Sequence, residues 1–135
     1  MISLIIWNSR GLGVLVKMDY LYNEALKNKA SIIVVLESKQ NPSKNGHFAK
    51  RVGLRDFMHD DPVNQNIWVF WNCSVTIVKV GASDQHLSTR IEAVDEVCFF
   101  SFVYAKCDPR LCESLWNDLK SFNPRDDAWF VGGWI

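Results

Sequence analysis

A chain of 135 residues has room for one domain with a sizeable core, and its 48% apolar and 13% aromatic content, six tryptophans included, excludes an intrinsically disordered segment. Fifteen basic residues balance fifteen acidic ones, which excludes a broad electrostatic grip on nucleic acid and leaves only local contacts for such a partner. No apolar run reaches the length of a membrane span, and the apolar start lacks the basic region and cleavage site of a signal peptide, so a soluble intracellular protein with no membrane partner is expected.

The first apolar run, Leu4 to Trp7, ends at Asn8 and gives way to a polar, glycine-rich turn from Ser9 to Gly13. Val14, Met18, Leu21, Ala25 and Leu26 then fall at helical spacing, which predicts an amphipathic helix that frays at Asn28 and Lys29. A second apolar run, Ile32 to Leu36, ends in the same way at Glu37, with Ser38 and Lys39 behind it. Strand, helix and strand in close succession predict a parallel pair, and both polar tips would then share the carboxyl edge, where ligands of open α/β sheets collect. A plainer reading fits the same spacing: Asn8 opens a turn and Glu37 is a solvated strand end.

From Gln40 to Asn66 turn signals dominate, and only Phe48 to Val52 and Leu54 to Met58 offer short structure. The region reads as a long connection with one short helix or strand. Lys39, Lys44, Lys50, Arg51 and Arg55 make it the most basic part of the chain, either a phosphate-contacting loop or a solvated one.

Four runs then follow at short spacing, Ile67 to Trp71, Val75 to Val80, Gln85 to Ala93 and Val97 to Tyr104, and they predict an antiparallel meander. Leu87, Thr89, Ile91 and Ala93 alternate with His86, Ser88, Arg90 and Glu92, the pattern of a strand with one wet face. Cys98 to Val103 is almost wholly apolar, as a central strand would be, and again it ends on a polar tip, Tyr104. Asp108 and Pro109 supply a capping side chain and a first-position proline for a second helix, with Leu111, Leu115, Trp116 and Leu119 as its buried stripe and Asn123-Pro124 at its end. A last strand, Ala128 to Val131, runs into Gly132-Gly133 and Trp134-Ile135. Cys73, Cys98, Cys107 and Cys112 contain no CxxC pair and show no zinc spacing with His47, His59 and His86, so reduced thiols are expected.

Taken in order, IIWNSRGLG, VVLESK, NIWVFWN, FVYAKCDPRLCESLWNDL and AWFVGG resemble the first half of the endonuclease/exonuclease/phosphatase superfamily, the DNase-I-like fold, and most closely the endonuclease domain of plant LINE-type retrotransposons. The resemblance runs from Met1 to Gly133. It implies an α/β fold, the N-terminal half of a DNase-I-like sandwich with one mixed sheet and two covering helices. Residues 1–135 would form a truncated domain lacking the C-terminal half. By the same resemblance Asn8 and Tyr104 are the candidate catalytic residues, Asn8 supporting the metal and its hydrogen bonds and Tyr104 facing the scissile phosphate. Glu37 is the candidate ligand of Mg²⁺, and Lys39 and Arg10 are candidate phosphate contacts.

The departures from the family pattern bear on activity. Arg10 stands where many members carry aspartate or asparagine, and Cys107 falls near a phosphate-contacting asparagine. Trp134 and Ile135 occupy the first two places of the DFN of a GGDFN motif. What the resemblance implies is a fragment of a Mg²⁺-dependent phosphodiesterase, a retrotransposon-type DNA endonuclease with little or no activity as this chain. The alternative is a non-catalytic remnant acting as a protein- or nucleic-acid-binding module. DNA is the family's partner, a nuclear location follows from the resemblance alone, and a protein covering an exposed apolar sheet face is a further expectation.

Overall fold

The computed structural model describes residues 2–11, 15–54, 56–60, 64–106, 108–125 and 127–134. Gly13, Val14, Arg55, Cys107 and Ile135, each singled out in the sequence, lie outside the described residues.

Strand β1 (Leu4–Asn8), helix α1 (Leu15–Asn28) and strand β2 (Ile32–Leu36) form the expected unit, with β1 parallel to β2 and Asn8 in register with Leu36. All five residues of β2 are buried because its apolar run is sandwiched on both faces. Ile33 and Val35 face the layer of α1, with Met18, Leu21 and Ala25, while Ile32, Val34 and Leu36 face the opposite way. The connection that follows holds more structure than its turn signals suggest. A 3-10 turn (Pro42–Lys44) leads into helix α2 (Asn45–Arg51), and then strand β3 (Asp56–Asp60) pairs with β4 (Asn64–Trp71). Phe48, Ala49, Val52 and Leu54 join the α1 side of the core, which turn counting alone does not show.

The four-strand meander is corrected by the pairing. Strand β4 runs antiparallel to β2 and belongs to the first sheet, ordered β1-β2-β4-β3. Only β5 (Thr76–Ala82), β6 (His86–Glu92) and β7 (Val97–Tyr104) form the antiparallel succession. With β8 (Trp129–Trp134) parallel to β7, they make a second sheet ordered β5-β6-β7-β8. Among the described residues the expected α/β sandwich therefore has two four-stranded sheets and three α-helices, where one mixed sheet with two covering helices was predicted. The physical reason is that β4 and β5, though nearly adjacent in sequence, turn at Asn72 to Ser74 from one layer into the other, with Asn72 Oδ1 accepting from the Ser74 N–H at 2.9 Å.

The expected bare sheet face is likewise corrected. Ile32, Val34, Leu36, Ile67 and Val69 of the first sheet pack against Ile77, Leu87, Ile91 and Phe102 of the second, so the chain covers that face itself. Helix α3 (Pro109–Phe122) starts as predicted, with the Asp108 side chain accepting from the Arg110 N–H, and lays Leu115 and Leu119 on the outer face of the second sheet against Val103. That covering also corrects the wet face of β6, where His86 and Ser88 are buried and Ser88 shares a hydrogen bond with Ser101 at 2.7 Å. Among the described residues no helix is long and apolar enough to cross a membrane. Cys73, Cys98 and Cys112 are free thiols, and burial, with Glu96 adding to it, pushes the Cys98 thiol up.

Candidate active site

The carboxyl ends of β1, β2 and β7 deliver three polar side chains to one edge of the sandwich. Asn8 is the last residue of β1, and its Oδ1 accepts from the Arg10 N–H at 3.2 Å, closing the turn that follows. Glu37 comes directly after β2 and Tyr104 is the last residue of β7. The Tyr104 hydroxyl donates to Glu37 Oε2 at 2.8 Å, and Lys39 Nζ lies 3.4 Å from Glu37 Oε1. The Glu37 side chain keeps 23% exposure, so it is reachable without being fully solvated.

The backbone that presents this carboxylate is held in an uncommon shape. Glu37, Lys39 and Arg10 all have positive φ, at 56°, 56° and 51°, a region that costs a non-glycine residue about 1 kcal/mol or more and persists where neighbours enforce it. Here the enforcing groups are visible. The Glu37 N–H donates to Asn66 O at 2.8 Å, and the Glu37 carbonyl accepts from the Gly11 N–H at 2.8 Å. Buried Ser9 directs its Oγ at the carbonyls of Leu36 and Glu37, both at 3.1 Å. From α1, Lys17 Nζ reaches back to the carbonyls of Ser9 (3.0 Å) and Gly11 (2.8 Å), fastening the turn to the helix.

Electrostatics leaves Glu37 ionised. The Tyr104 hydrogen bond is the main cause holding its carboxyl below the ordinary value; desolvation opposes it, and Lys39 and Arg10 add to the lowering. Arg10 itself is exposed, with its guanidinium carbon 5.7 Å from the centre of the Trp134 ring.

The structure thus brings Glu37, Tyr104, Lys39 and Arg10 together, with Asn8 on the neighbouring strand end. Among the other described residues of the basic stretch, Arg51 pairs with Asp19 of α1 at 3.0 Å, and Lys44 and Lys50 are exposed. Ser9, Lys17 and Gln85 were not singled out from the sequence. Buried Gln85 donates through Nε2 to Leu111 O (2.7 Å), accepts at Oε1 from the Lys106 N–H (2.8 Å), and its own carbonyl accepts from the Tyr104 N–H (2.9 Å). Ser9 could have been read from its place in the turn closing β1, whereas the partners of Gln85 lie too far along the chain to leave a local signal.

The Mg²⁺ implied by the resemblance can be tested against the donors. Each carboxylate oxygen carries two lone-pair directions, and each Glu37 oxygen gives one to Tyr104 or Lys39, leaving one for a cation. Among the described residues no group of three His, Cys, Asp or Glu side chains gathers, so a cation caged by protein alone does not fit. A hydrated Mg²⁺ resting on one carboxylate and on substrate oxygens does fit, because this ion keeps most of its waters.

No protein-family model and no curated protein matches the sequence. Solved structures do match in fold. The endonuclease domain of TRAS1, a telomere-specific non-LTR retrotransposon, superposes with a TM-score of 0.66 at 14% identity, over 96% of this chain and 58% of that one. D. rerio TDP2 complexed with a single-strand DNA product gives 0.68 at 13% identity over 98% and 59%. The AP endonuclease LMAP from Leishmania major gives 0.65 at 12% over 98% and 54%. The chain therefore has the DNase-I-like fold that these structures share. The chain spans less than two thirds of the length of each of these structures.

Proposed function

We propose that this chain carries the metal- and phosphate-contacting part of a Mg²⁺-dependent phosphodiesterase that cuts a nucleic acid backbone, in the manner of a retrotransposon-type DNA endonuclease. The observation that carries the reading is the 2.8 Å hydrogen bond from Tyr104 to Glu37, which joins the two sheets at the carboxyl edge beside Asn8. Its support from similar folds is that two are endonucleases and one holds a single-strand DNA product.

Bound Mg²⁺ would draw charge from the phosphate oxygens and lower the pKa of a coordinated water. Glu37, ionised and partly exposed, would hold it. Asn8 fixes the turn that carries Arg10, and Arg10 with Lys39 offers two cations to the phosphate. The Tyr104 hydroxyl has a single proton, which orients the carboxylate in the free protein and would turn to a phosphoryl oxygen as charge builds there. A general base and further oxyanion donors would come from another segment or subunit. Each such group is typically worth about 10² to 10⁴ in rate, so slow turnover is expected of this chain alone. Trp134, standing where the resemblance expects aspartate, favours a second reading, a non-catalytic nucleic-acid-binding remnant.

Plasmid nicking by the purified chain, with Mg²⁺ against EDTA and with Glu37→Ala alongside, tests the first reading. Slow metal-dependent nicking that disappears in the variant is expected. Absence of nicking by folded protein, together with no Mn²⁺-induced broadening at the Glu37 amide, would leave the second reading.

A further inference from the structure

We infer that Trp134, braced by Arg10, is a stacking platform for an unpaired nucleobase beside the phosphate site, so that the ligand of this edge is a single strand or an opened end and not an intact duplex. The inference deepens the proposed function and takes from it only the position of the phosphate contacts.

Trp134 is in register with Tyr104 across the parallel β7–β8 pair, which sets its ring at the edge that carries Glu37. Its backbone is fastened, with the Ala105 N–H donating to Trp134 O at 2.9 Å. Gly133 before it has φ of 140° and lies so close to β7 that a side chain would overlap the Val103 carbonyl. The ring is therefore presented from a fixed backbone, and the residue stays 50% exposed. Two other exposed aromatics have ring partners: Tyr20 meets Trp7 at 5.8 Å and Phe130 meets Phe100 at 6.1 Å. Trp134 has a cation over it, the Arg10 guanidinium at 5.7 Å, and that same Arg10 acts electrostatically on Glu37. An aromatic face beside two cations and a carboxylate is the arrangement that takes a base on its face while the phosphate next to it meets the charges. A paired base hides its faces within the stack and must first be drawn out, which favours strands already open. The zero net charge fits this too, because affinity then rests on stacking more than on counterion release.

The test is fluorescence anisotropy in EDTA with labelled strands of about ten nucleotides, a length within the usual site sizes. The probes are oligothymidylate, oligouridylate, an abasic strand of equal charge and a hairpin duplex. Wild type is expected to prefer the strands with bases over the abasic strand and the duplex. Trp134→Ala should weaken binding of the base-bearing strands about 10- to 100-fold and leave the abasic strand within about twofold, while Trp134→Phe keeps most of the affinity. The salt dependence should stay the same in Trp134→Ala and become shallower in Arg10→Ala. Equal loss of abasic and base-bearing strands in Trp134→Ala, no loss at all, or a wild type that binds abasic and base-bearing strands alike would overturn the inference. Retention by Trp134→Phe excludes misfolding as the cause. Because the assay contains no metal, it is independent of nicking: stacking without nicking sinks only the phosphodiesterase, and nicking without a Trp134 effect sinks only the platform. Preference between the DNA and RNA strands identifies which single strand supplies the base.

Discussion

The Tyr104 hydroxyl and the Glu37 carboxylate are 67 residues apart in the chain and 2.8 Å apart in space. One ends a strand of the second sheet and the other follows a strand of the first, so the bond exists only when the two layers stack in the right relation. It fixes the carboxylate's direction and its charge at once.

Tyr104→Phe is expected to raise the Glu37 titration midpoint toward the ordinary glutamate value, since the hydroxyl is the main cause of its lowering. The folded-state value lies below the unfolded one, so the pairing stabilises the fold above the ordinary glutamate value and is lost as pH falls through the lowered one. Urea unfolding of wild type and variant should therefore converge in acid and separate toward neutral pH. Carbon-13 titration of the Glu37 carboxyl reads the midpoint directly, and the same midpoint in both proteins would refute the assignment.

Ser9→Ala removes a buried hydroxyl aimed at the carbonyls of Leu36 and Glu37. Both carbonyls keep a backbone donor, the Ser9 N–H at 3.0 Å and the Gly11 N–H at 2.8 Å, so losing the hydroxyl should cost about 1 kcal/mol by chemical denaturation. The positive-φ turn at Glu37 loses one of its restraints as well, so faster amide exchange at Gly11, whose N–H donates to Glu37 O, is the local sign to look for.

Much of this edge was legible in the sequence. Runs ending at Asn8, Glu37 and Tyr104 marked three strand tips, and the β1–α1–β2 spacing placed two of them on one edge, because a parallel pair needs a crossover and a crossover fixes direction. The capped start of α3 at Asp108-Pro109 was equally local and equally readable. The sheet to which each strand belongs was not. Strand β4 carries a β-prone apolar run as β5 and β7 do, and only its pairing with β2 and β3, settled by packing across the whole chain, assigns it to the first layer. Burial of Ser88 and His86 was hidden for a similar reason: the alternation along β6 is genuine, but α3, more than twenty residues on, covers the polar face.

Gly133→Ala tests how tightly β8 is held against β7. The position has φ of 140°, and an added Cβ would overlap the Val103 carbonyl oxygen. Backbone strain of this kind costs on the order of 1–3 kcal/mol before any clash is counted, so the variant should be destabilised by more than that. A drop in melting temperature is expected, together with a change in the near-ultraviolet signal as Trp134 leaves its place beside Tyr104. A fully stable variant would show that the strands approach less closely than the geometry requires.

Gln85→Ala separates support of the site from its chemistry. The amide touches neither Glu37 nor the Tyr104 hydroxyl, but it ties the start of β6 to the Lys106 N–H and the Leu111 carbonyl, on either side of the turn that leaves Tyr104 for α3. Truncation removes two part-buried hydrogen bonds, one to the Lys106 N–H and one to the Leu111 carbonyl, a cost of about 1–2 kcal/mol. Gln85→Glu keeps the acceptor for Lys106 N–H and loses the donor to Leu111 O, so it should fall between the two in urea unfolding. If the residue positions Tyr104, the Glu37 midpoint should rise in Gln85→Ala and return part of the way in Gln85→Glu. If it serves only the packing of α3, stability falls while the Glu37 midpoint stays where it is in wild type.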